Sequence, residues 1–488
     1  MSNKRVSEVI TIDDIKKWNN DDIITITAGT GAGKSYFIKN ILYAFAKSNN
    51  RKILFLIHRT NCTNQFYEEI KRNNKLDIIH IKTYQSIESK ILNKQEVDLS
   101  EYQYIVSDEF HYFVSDASFN ITTDISLNKI LNQTNTTKIF MSATGNYVRN
   151  YINNVKKLES IDYKLPINYD FIKELTFYKL DSTLDMFVKE CINNNEKAIF
   201  FIQSAEKAYN LYSKYKDNCL FNCSKSNDKY YKYVNSEKID NMLKNEKFKE
   251  RVLITTTCMD TGVNIIDTNL KHIICDIKDV GTLIQCIGRK RIQNADDGIY
   301  LYIKTINNKQ LGGMKTQVNK RIKKADFLRE HTVKEYIEEF PRSYDYNNIV
   351  YDGIIEDKNN CTKKINELMY FKCLCDMCDI DIIGTYGKYA YNKYLAYKFN
   401  IERYRLIEED NNMTQLELYL ESIVDKRLYK EEQKELINKI NVRVDGKIQK
   451  SYSKLNQGLQ MLELPYIIIS KRIKEDNKLK TIWIINKL

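Results

Sequence analysis

Short apolar runs alternate with longer amphipathic stretches through the first two-thirds of the chain. The runs at 23–27, 53–57, 78–82, 104–107 and 138–142 have the length and the β-branched and aromatic content of buried strands. Between them, 35–46 and 61–72 carry apolar residues at helical spacing. Parallel strands need a crossover between neighbours, so this alternation predicts an α/β layer with helices on both faces. After a polar passage over 150–170 the pattern resumes. Strands are expected at 198–202, 219–221, 251–255, 272–275 and 298–303, with helices at 206–215 and 236–247. Beyond residue 305 the chain turns mostly helical and tyrosine-rich. Its end, 464–488, reads as a β-hairpin, with strands at 466–469 and 481–485 around a charged turn at 475–477.

A length of 488 residues implies two to four domains. With 43% hydrophobic and 29% charged residues, the composition is that of a folded globular protein. No apolar run approaches the roughly 18–20 residues that span a bilayer, and residues 1–10 are polar where a secretory signal would be apolar. A cytoplasmic protein without a membrane partner is therefore expected, in the host cytoplasm if the chain is phage-encoded. The eleven cysteines are odd in number and scattered, which fits a reducing compartment. The net charge of +12 favours a polyanionic partner. The chain is equally marked by residues of AT-rich codons, with 35 Tyr and only 3 Pro, so charge alone does not decide between nucleic acid and genome bias.

The motifs are more informative. Ala28-Gly29-Thr30-Gly31-Ala32-Gly33-Lys34-Ser35 lies between an expected strand and an expected helix, the context a phosphate-binding loop requires. Its glycines let backbone N–H groups wrap phosphates at a helix N-terminus. Lys34 would reach the β- and γ-phosphates of ATP, and Ser35 would offer a hydroxyl to Mg²⁺. In Tyr104-Ile105-Val106-Ser107-Asp108-Glu109, an apolar strand delivers two carboxylates to the sheet edge where α/β proteins hold ligands. Asp108 would hold Mg²⁺, and Glu109 would orient and deprotonate the attacking water.

These segments resemble superfamily 2 helicases, in whose phosphate loop the first position is typically alanine, as Ala28 is here. Asp108-Glu109-Phe110-His111 looks like their DExH box, and Ser142-Ala143-Thr144 matches their Ser-Ala-Thr motif. Residues 256–264 are similar to the fifth motif, and Gln285-Cys286-Ile287-Gly288-Arg289-Lys290-Arg291 to the arginine-finger motif QxxGRxxR. Weaker echoes lie at 56–60 with Gln65 and at 83–86, and all occur in the family's order. The family's second arginine falls at Ile292, with Arg291 one position early, so Arg289 is read as the finger and Arg291 as its substitute only if the turn is shifted. No glutamine-containing adenine motif precedes Ala28, which, with Phe110-His111, argues against the DEAD-box branch. Trp18 could stack on a base, but a core position suits so large an aromatic better.

The resemblance implies an α/β fold of two tandem RecA-like parallel-sheet domains, 1–160 and 161–305, with ATP between them. A helical accessory region, 306–410, and a C-terminal helical module, 411–488, would follow. A helix with a basic hairpin, as at 452–488, resembles a winged helix. Lys34, Ser35, Asp108 and Glu109 would face Gln285, Arg289 and Arg291 across the cleft. Arg59, Thr83 and Thr257 would grip nucleic-acid phosphates. The implied activity is an ATP-dependent helicase or translocase, with DNA favoured over RNA, of the kind that serves phage or plasmid replication or repair. The alternatives are a duplex translocase that leaves strands paired and an ATP-switched nucleic-acid-binding factor.

Three further signals favour structural readings. Cys361, Cys373, Cys375 and Cys378 fit no standard zinc spacing and three lie in an expected helix, so packing is favoured over metal. The basic run Lys315, Lys320, Arg321, Lys323, Lys324 and Arg329 reads first as a solvated helix face. Tyr386, Tyr389, Tyr391, Tyr394 and Tyr397 have the spacing of a packed face rather than of a base-stacking track. The loop assignment carries one expectation: Lys34→Ala should abolish ATP hydrolysis while the circular dichroism spectrum and melting curve keep their native form. Unchanged turnover would refute it.

Overall fold

The first sheet forms because five apolar strands can be covered on both faces. Its members are β1 (Ile23–Thr27), β2 (Ile53–Ile57), β3 (Ile79–Thr83), β4 (Tyr104–Asp108), β5 (Thr137–Ser142) and β6 (Ser160–Lys164). They lie in the order β3-β2-β4-β5-β1-β6, and every pairing is parallel. β1, β2 and β5 are buried along their whole length, which explains their unbroken apolar sequence. This computed structural model describes residues 4–487 apart from 59, 119, 260–262, 295, 342–348, 353–361, 408–414, 445–446, 463 and 476–477, and apart from the side chains of 60–65, 415, 444, 447 and 478.

The polar passage 150–170 hides an element. β6 pairs with β1 from Ile23↔Ser160 to Thr27↔Lys164 and closes one edge of the first sheet. None of its residues is fully buried. Its Ser, Asp and Lys are tolerable at a solvated edge and leave no apolar run to read.

The second sheet holds β7 (Ile172–Tyr178), β8 (Lys197–Ile202), β9 (Cys219–Asn222), β10 (Val252–Thr255), β11 (Leu270–Asp276) and β12 (Ile299–Lys304). A separate antiparallel pair, β13 (Val350–Asp352) and β14 (Lys363–Ile365), precedes β15 (Arg405–Ile407), which returns to the second sheet. The order is β15-β7-β12-β11-β8-β10-β9, again wholly parallel. Two parallel-sheet α/β layers with added helices are the tandem RecA-like fold. Residues Met1–Ile407 form one compact unit and Glu408–Leu488 another.

Within the first unit, the accessory helices are shared between the layers. Val318, Ile322 and Ala325 of helix Asn308–Glu330 pack with Tyr112, Phe113 and Phe140 below the first sheet. Ile383, Ala390, Tyr391 and Leu395 pack with Leu301 and Ile303 of the second. Helix Glu367–Gly384 contributes to both cores, through Leu368 and Cys373 to one and Ile383 to the other. Each buried aliphatic or aromatic side chain contributes about 1.5–3 kcal/mol, so these helices tie the two layers through apolar contact.

The basic run lies on helix Asn308–Glu330, where Lys315 pairs with Asp381 and Arg329 with Glu367. Tyr391 is fully buried, whereas Tyr397 is 74% exposed. Cys373 is buried, Cys375 partly so and Cys378 exposed on one helix, and no group able to hold a metal occurs among the described residues. Cys361 lies outside them. Trp18 is buried against Phe37 and Tyr163 and donates its indole N–H to the Tyr163 hydroxyl at 3.2 Å. Among the described residues, no helix is long and apolar enough to cross a membrane.

The C-terminal unit packs helices Gln415–Ser422, Lys430–Ile440 and Tyr452–Met461 with an antiparallel sheet of β16 (Arg427–Leu428), β19 (Tyr466–Glu475) and β20 (Lys478–Lys487), in the order β16-β20-β19. A small ladder of β17 (Arg443–Val444) and β18 (Lys447–Ile448) sits between the second and third helices. The hairpin strands are twice the length the apolar pattern suggests, because basic residues at 471–474 continue the ladder. Residues 476 and 477 of the expected turn lie outside the described residues.

One buried ion pair shapes the turn after helix Val280–Ile287. Lys290 Nζ donates to Asp297 Oδ1 at 2.6 Å and to the Asp267 carbonyl at 2.7 Å, with both side chains of the pair essentially inaccessible. Removing one partner strands the other charge. Asp297→Ala is expected to lower unfolding stability by about 3–5 kcal/mol, read as a lower denaturant midpoint. A midpoint within error of the parent would contradict it.

Candidate active site

Parallel strands that all run one way deliver their following loops to one edge, where α/β sheets bind ligands. β1 leads into the glycine-rich loop, β4 ends in Asp108, and β5 lies between them and ends in Ser142. The loop keeps strand register at its start, since the Ala28 N–H donates to the Ser142 carbonyl at 3.1 Å. Gly31 and Gly33 have φ of 83° and 84°, a left-handed backbone that side chains disfavour. The helix that follows is regular at Lys34–Tyr36, widens to a π turn at Phe37–Leu42 and resumes at Tyr43–Ser48.

Lys34 is buried and curls back over the loop, donating to the carbonyls of Ala28 at 2.8 Å and Gly29 at 3.2 Å. Burial lowers its pKa, the Glu109 and Asp108 carboxylates oppose that, and the Arg291 and Arg289 charges reinforce it. An ammonium so placed, with two cations for neighbours, stands over a loop suited to an anion.

The acid pair is unequal. Burial and the adjacent Glu109 charge push Asp108 above the usual carboxylate range. Burial pushes Glu109 the same way, but its hydrogen bond with His111 and the Lys34 charge outweigh this and hold it well below that range. Glu109 also has a φ of 49°, a left-handed conformation rare outside glycine and costing about 1–3 kcal/mol. The Ser142 hydroxyl donates to Glu109 Oε2 at 3.2 Å and accepts from the Thr144 N–H at 3.1 Å. His111 Nδ1 lies 2.8 Å from the same hydroxyl and 3.3 Å from Glu109 Oε2. Having donated to Glu109, the Ser142 hydroxyl can only accept from His111, which places a proton on Nδ1.

The network continues into the second layer. Gln285 Nε2 donates to Thr144 Oγ1 at 3.1 Å, and Arg289 Nη2 donates to Gln285 Oε1 at 3.0 Å. Arg289 also donates through Nε to the Gln285 carbonyl at 2.9 Å and through Nη1 to the Val263 carbonyl at 3.3 Å. Its guanidinium is thus engaged on three nitrogens. Arg291 differs. Its Nε donates to Asn264 Oδ1 at 2.8 Å, while its buried Nη1 has no hydrogen-bond partner among the described residues. Burial and the neighbouring Arg289 lower its pKa to about 10. A β-carbon built on Gly31 would lie 3.4 Å from that Nη1.

A cavity of about 600 Å³ opens beside the loop, lined by Gly29–Ala32 and Arg5 on one side and by Ile167, Tyr169, Phe171, Gly288 and Arg291 on the other. The hydrophobic pattern and motif spacing pass over Arg5, Tyr169 and Phe171. The Val6 N–H donates to the Ala32 carbonyl at 2.9 Å, which docks the N-terminal segment on the loop. No sequence signal marks that contact. Thr83 sits at the end of β3 and caps helix Tyr84–Leu92 by accepting from the Ser86 N–H. Thr257 opens the short turn after β10. Arg59 lies outside the described residues, as do Asp260, Thr261 and Gly262 of the fifth motif.

The Ser35 hydroxyl and Asp108 carboxylate are hard oxygen donors of the kind that suits Mg²⁺, and the cationic loop suits a polyphosphate. Together, the paired sheets, the loop, the acid pair and the two arginines form a site suited to a nucleoside polyphosphate. The family model of the type III restriction enzyme res subunit matches residues 3–77. No curated protein matches the chain. Among solved structures, S. cerevisiae Dbp5 bound to RNA and ADP BeF3 is 16% identical, covering 60% of this chain and 82% of that one, with a TM-score of 0.46. Mss116p bound to ssRNA and AMP-PNP is 16% identical over 80% of this chain and 81% of that one, TM-score 0.45. Mycobacterium smegmatis Lhr bound to ssDNA and AMP-PNP is 13% identical over 62% and 46%, TM-score 0.44.

The approach of the two layers depends on Gly288, where an added β-carbon would lie 2.1 Å from Thr30 Oγ1 and 3.0 Å from Thr30 Cβ. Gly288→Ala is expected to slow ATP hydrolysis at least tenfold, and Thr30→Gly in the same chain to restore part of the loss. Equal rates for parent and Gly288→Ala would show that this approach is not needed for turnover.

Proposed function

We propose that the protein is an ATP-driven translocase on nucleic acid that separates strands, with DNA its substrate in preference to RNA and replication or repair its setting. The observation that carries the reading is the series of hydrogen-bonded residues Glu109, Ser142, Thr144, Gln285 and Arg289, in which Thr144 meets Ser142 through its backbone N–H and Gln285 through its hydroxyl. It links the acid of one layer to the arginine motif of the other, so a change at the nucleotide alters how the layers meet.

In this reading Lys34 and the loop amides bind the phosphates, and Ser35 with Asp108 holds Mg²⁺, which supplies positive charge to the phosphate oxygens. Glu109, held as a carboxylate, orients water and accepts its proton. Arg291, whose Nη1 lies at the loop with no hydrogen-bond partner among the described residues, is the better candidate to meet the developing charge. Arg289 positions Gln285 instead, the reverse of the roles the motif spacing suggests. Arg5, Tyr169 and Phe171 would hold the base in place of a glutamine motif. Loss of the γ-phosphate removes what Arg291 and Gly288 close upon, and the layers can part. Thr83, at the end of β3, and Thr257, in the turn after β10, are candidates for gripping a nucleic-acid backbone, with Arg59.

Hydrolysis measured with and without single-stranded DNA or RNA, beside a strand-displacement assay, tests the reading. DNA should stimulate turnover and be displaced. Arg291→Ala should reduce kcat about 10³–10⁵-fold, the range for an arginine supplied across a cleft, with nucleotide binding retained. Hydrolysis indifferent to both nucleic acids would leave an ATP switch. Stimulation without displacement would leave a translocase on paired strands.

A further inference from the structure

Glu109 is held in its left-handed conformation by the two peptide planes that flank its α-carbon, and the two are pinned differently. The plane that follows it is fixed by main chain. The Phe110 N–H donates to the Met141 carbonyl at 3.2 Å, and the Glu109 carbonyl accepts from the Tyr112 N–H at 2.9 Å. The plane that precedes it receives a side chain: the Tyr84 hydroxyl donates to the Asp108 carbonyl at 2.9 Å. With both planes fixed, neither φ nor ψ of Glu109 can relax into the helical or extended regions that side chains prefer.

Tyr84 is itself held firmly. It is the first residue of helix Tyr84–Leu92 and is fully buried. Its ring stacks on Tyr112, with centroids 4.9 Å apart and planes 7° from parallel, and lies edge-to-face with Phe113 at 4.8 Å. Burial pushes its pKa well above the usual range, so the hydroxyl keeps its proton and remains a donor. One helical turn further on, Glu88 is buried and accepts from the Tyr112 hydroxyl at 3.0 Å and from Asn120 Nδ2 at 3.2 Å. The helix is thus fastened at two points to the segment that contains the acid pair and the turn after it.

We propose that Tyr84 is a positioning residue for hydrolysis, whose hydroxyl holds the Asp108–Glu109 peptide so that the Glu109 carboxylate is aimed at the attacking water. This role rests on the reading of Glu109 as the group that orients water. The bonded carbonyl belongs to Asp108, so loss of the hydroxyl frees both acids to turn about one peptide. Thr83, a candidate for gripping nucleic acid, caps the same helix. A strand bound there therefore bears on the acid pair through the side chain of the next residue.

Tyr84→Phe in the full chain removes the hydroxyl and keeps the ring and its stack. It is expected to lower kcat for ATP at least tenfold, while KM, affinity for a fluorescent non-hydrolysable ATP analogue and melting temperature match the parent. Amide hydrogen exchange without nucleotide should become at least tenfold faster over residues 108–111 and stay unchanged in helix Glu367–Gly384. In a Glu109→Gln background the same substitution should change the residual rate less than twofold, because a group that acts through Glu109 has nothing left to aim. Parent kcat and parent exchange in Tyr84→Phe would overturn the proposal. So would a tenfold loss repeated in the Glu109→Gln background, which marks a role not exerted through Glu109. A parent chain that hydrolyses no ATP would sink the translocase reading instead, and the exchange measurement would still decide whether Tyr84 holds the turn.

Discussion

The candidate active site depends on bringing an arginine-bearing turn against a glycine-rich loop without a side chain in the way. Gly288 meets Thr30, and Arg291 reaches past Gly31, in a space that no larger residue at 288 could share. The turn holds its shape because Lys290 is buried against Asp297 and the Asp267 carbonyl. An ion pair so buried adds little net stability but fixes geometry, since either charge alone would be costly. Consecutive basic residues of one motif thus serve different ends: Lys290 fixes the turn, Arg289 holds Gln285, and Arg291 lies beside Gly31 of the opposite layer.

From that contact the hydrogen-bond path follows. Ser142 is shared by Glu109, His111 and Thr144, and Thr144 receives the amide of Gln285. Glu109 pays for its place with a left-handed backbone, and Gly145 with close approach to the Phe110 ring, where a β-carbon would lie 2.1 Å from the ring. Strain and crowding concentrate where the acid must be aimed, and the surrounding buried sheet is stiff enough to impose both. The accessory helices reinforce this arrangement, because helix Glu367–Gly384 has apolar residues in the cores of both layers.

Strands of the two sheets were legible where burial on both faces gave continuous apolar sequence, as in β1, β2, β5, β8 and β10. β7 was not, although most of it is buried, because Lys173, Glu174 and Thr176 interrupt its apolar residues. β6 was not, because a solvated edge permits Ser, Asp and Lys. β15 was not, because a three-residue strand far along the chain leaves no periodicity to detect. The glycine-rich loop at a strand-to-helix turn and the carboxylates at a strand end were legible for a different reason: glycine spacing and adjacent acids are written in consecutive residues.

The order of the motifs, the alternation of strands and helices, and the chemistry of Lys34, Ser35, Asp108 and Glu109 are determined by sequence alone, since each depends on neighbours within a few positions. Tertiary structure decided which arginine is free. Spacing favours Arg289, yet Gln285 and the Val263 carbonyl occupy its guanidinium, while Arg291 keeps a nitrogen beside Gly31 that has no partner among the described residues. It also decided that Arg5, Tyr169 and Phe171 line one cavity, although more than 160 positions separate the first from the others. Contacts of that kind are set by how two layers pack, and no local pattern encodes them.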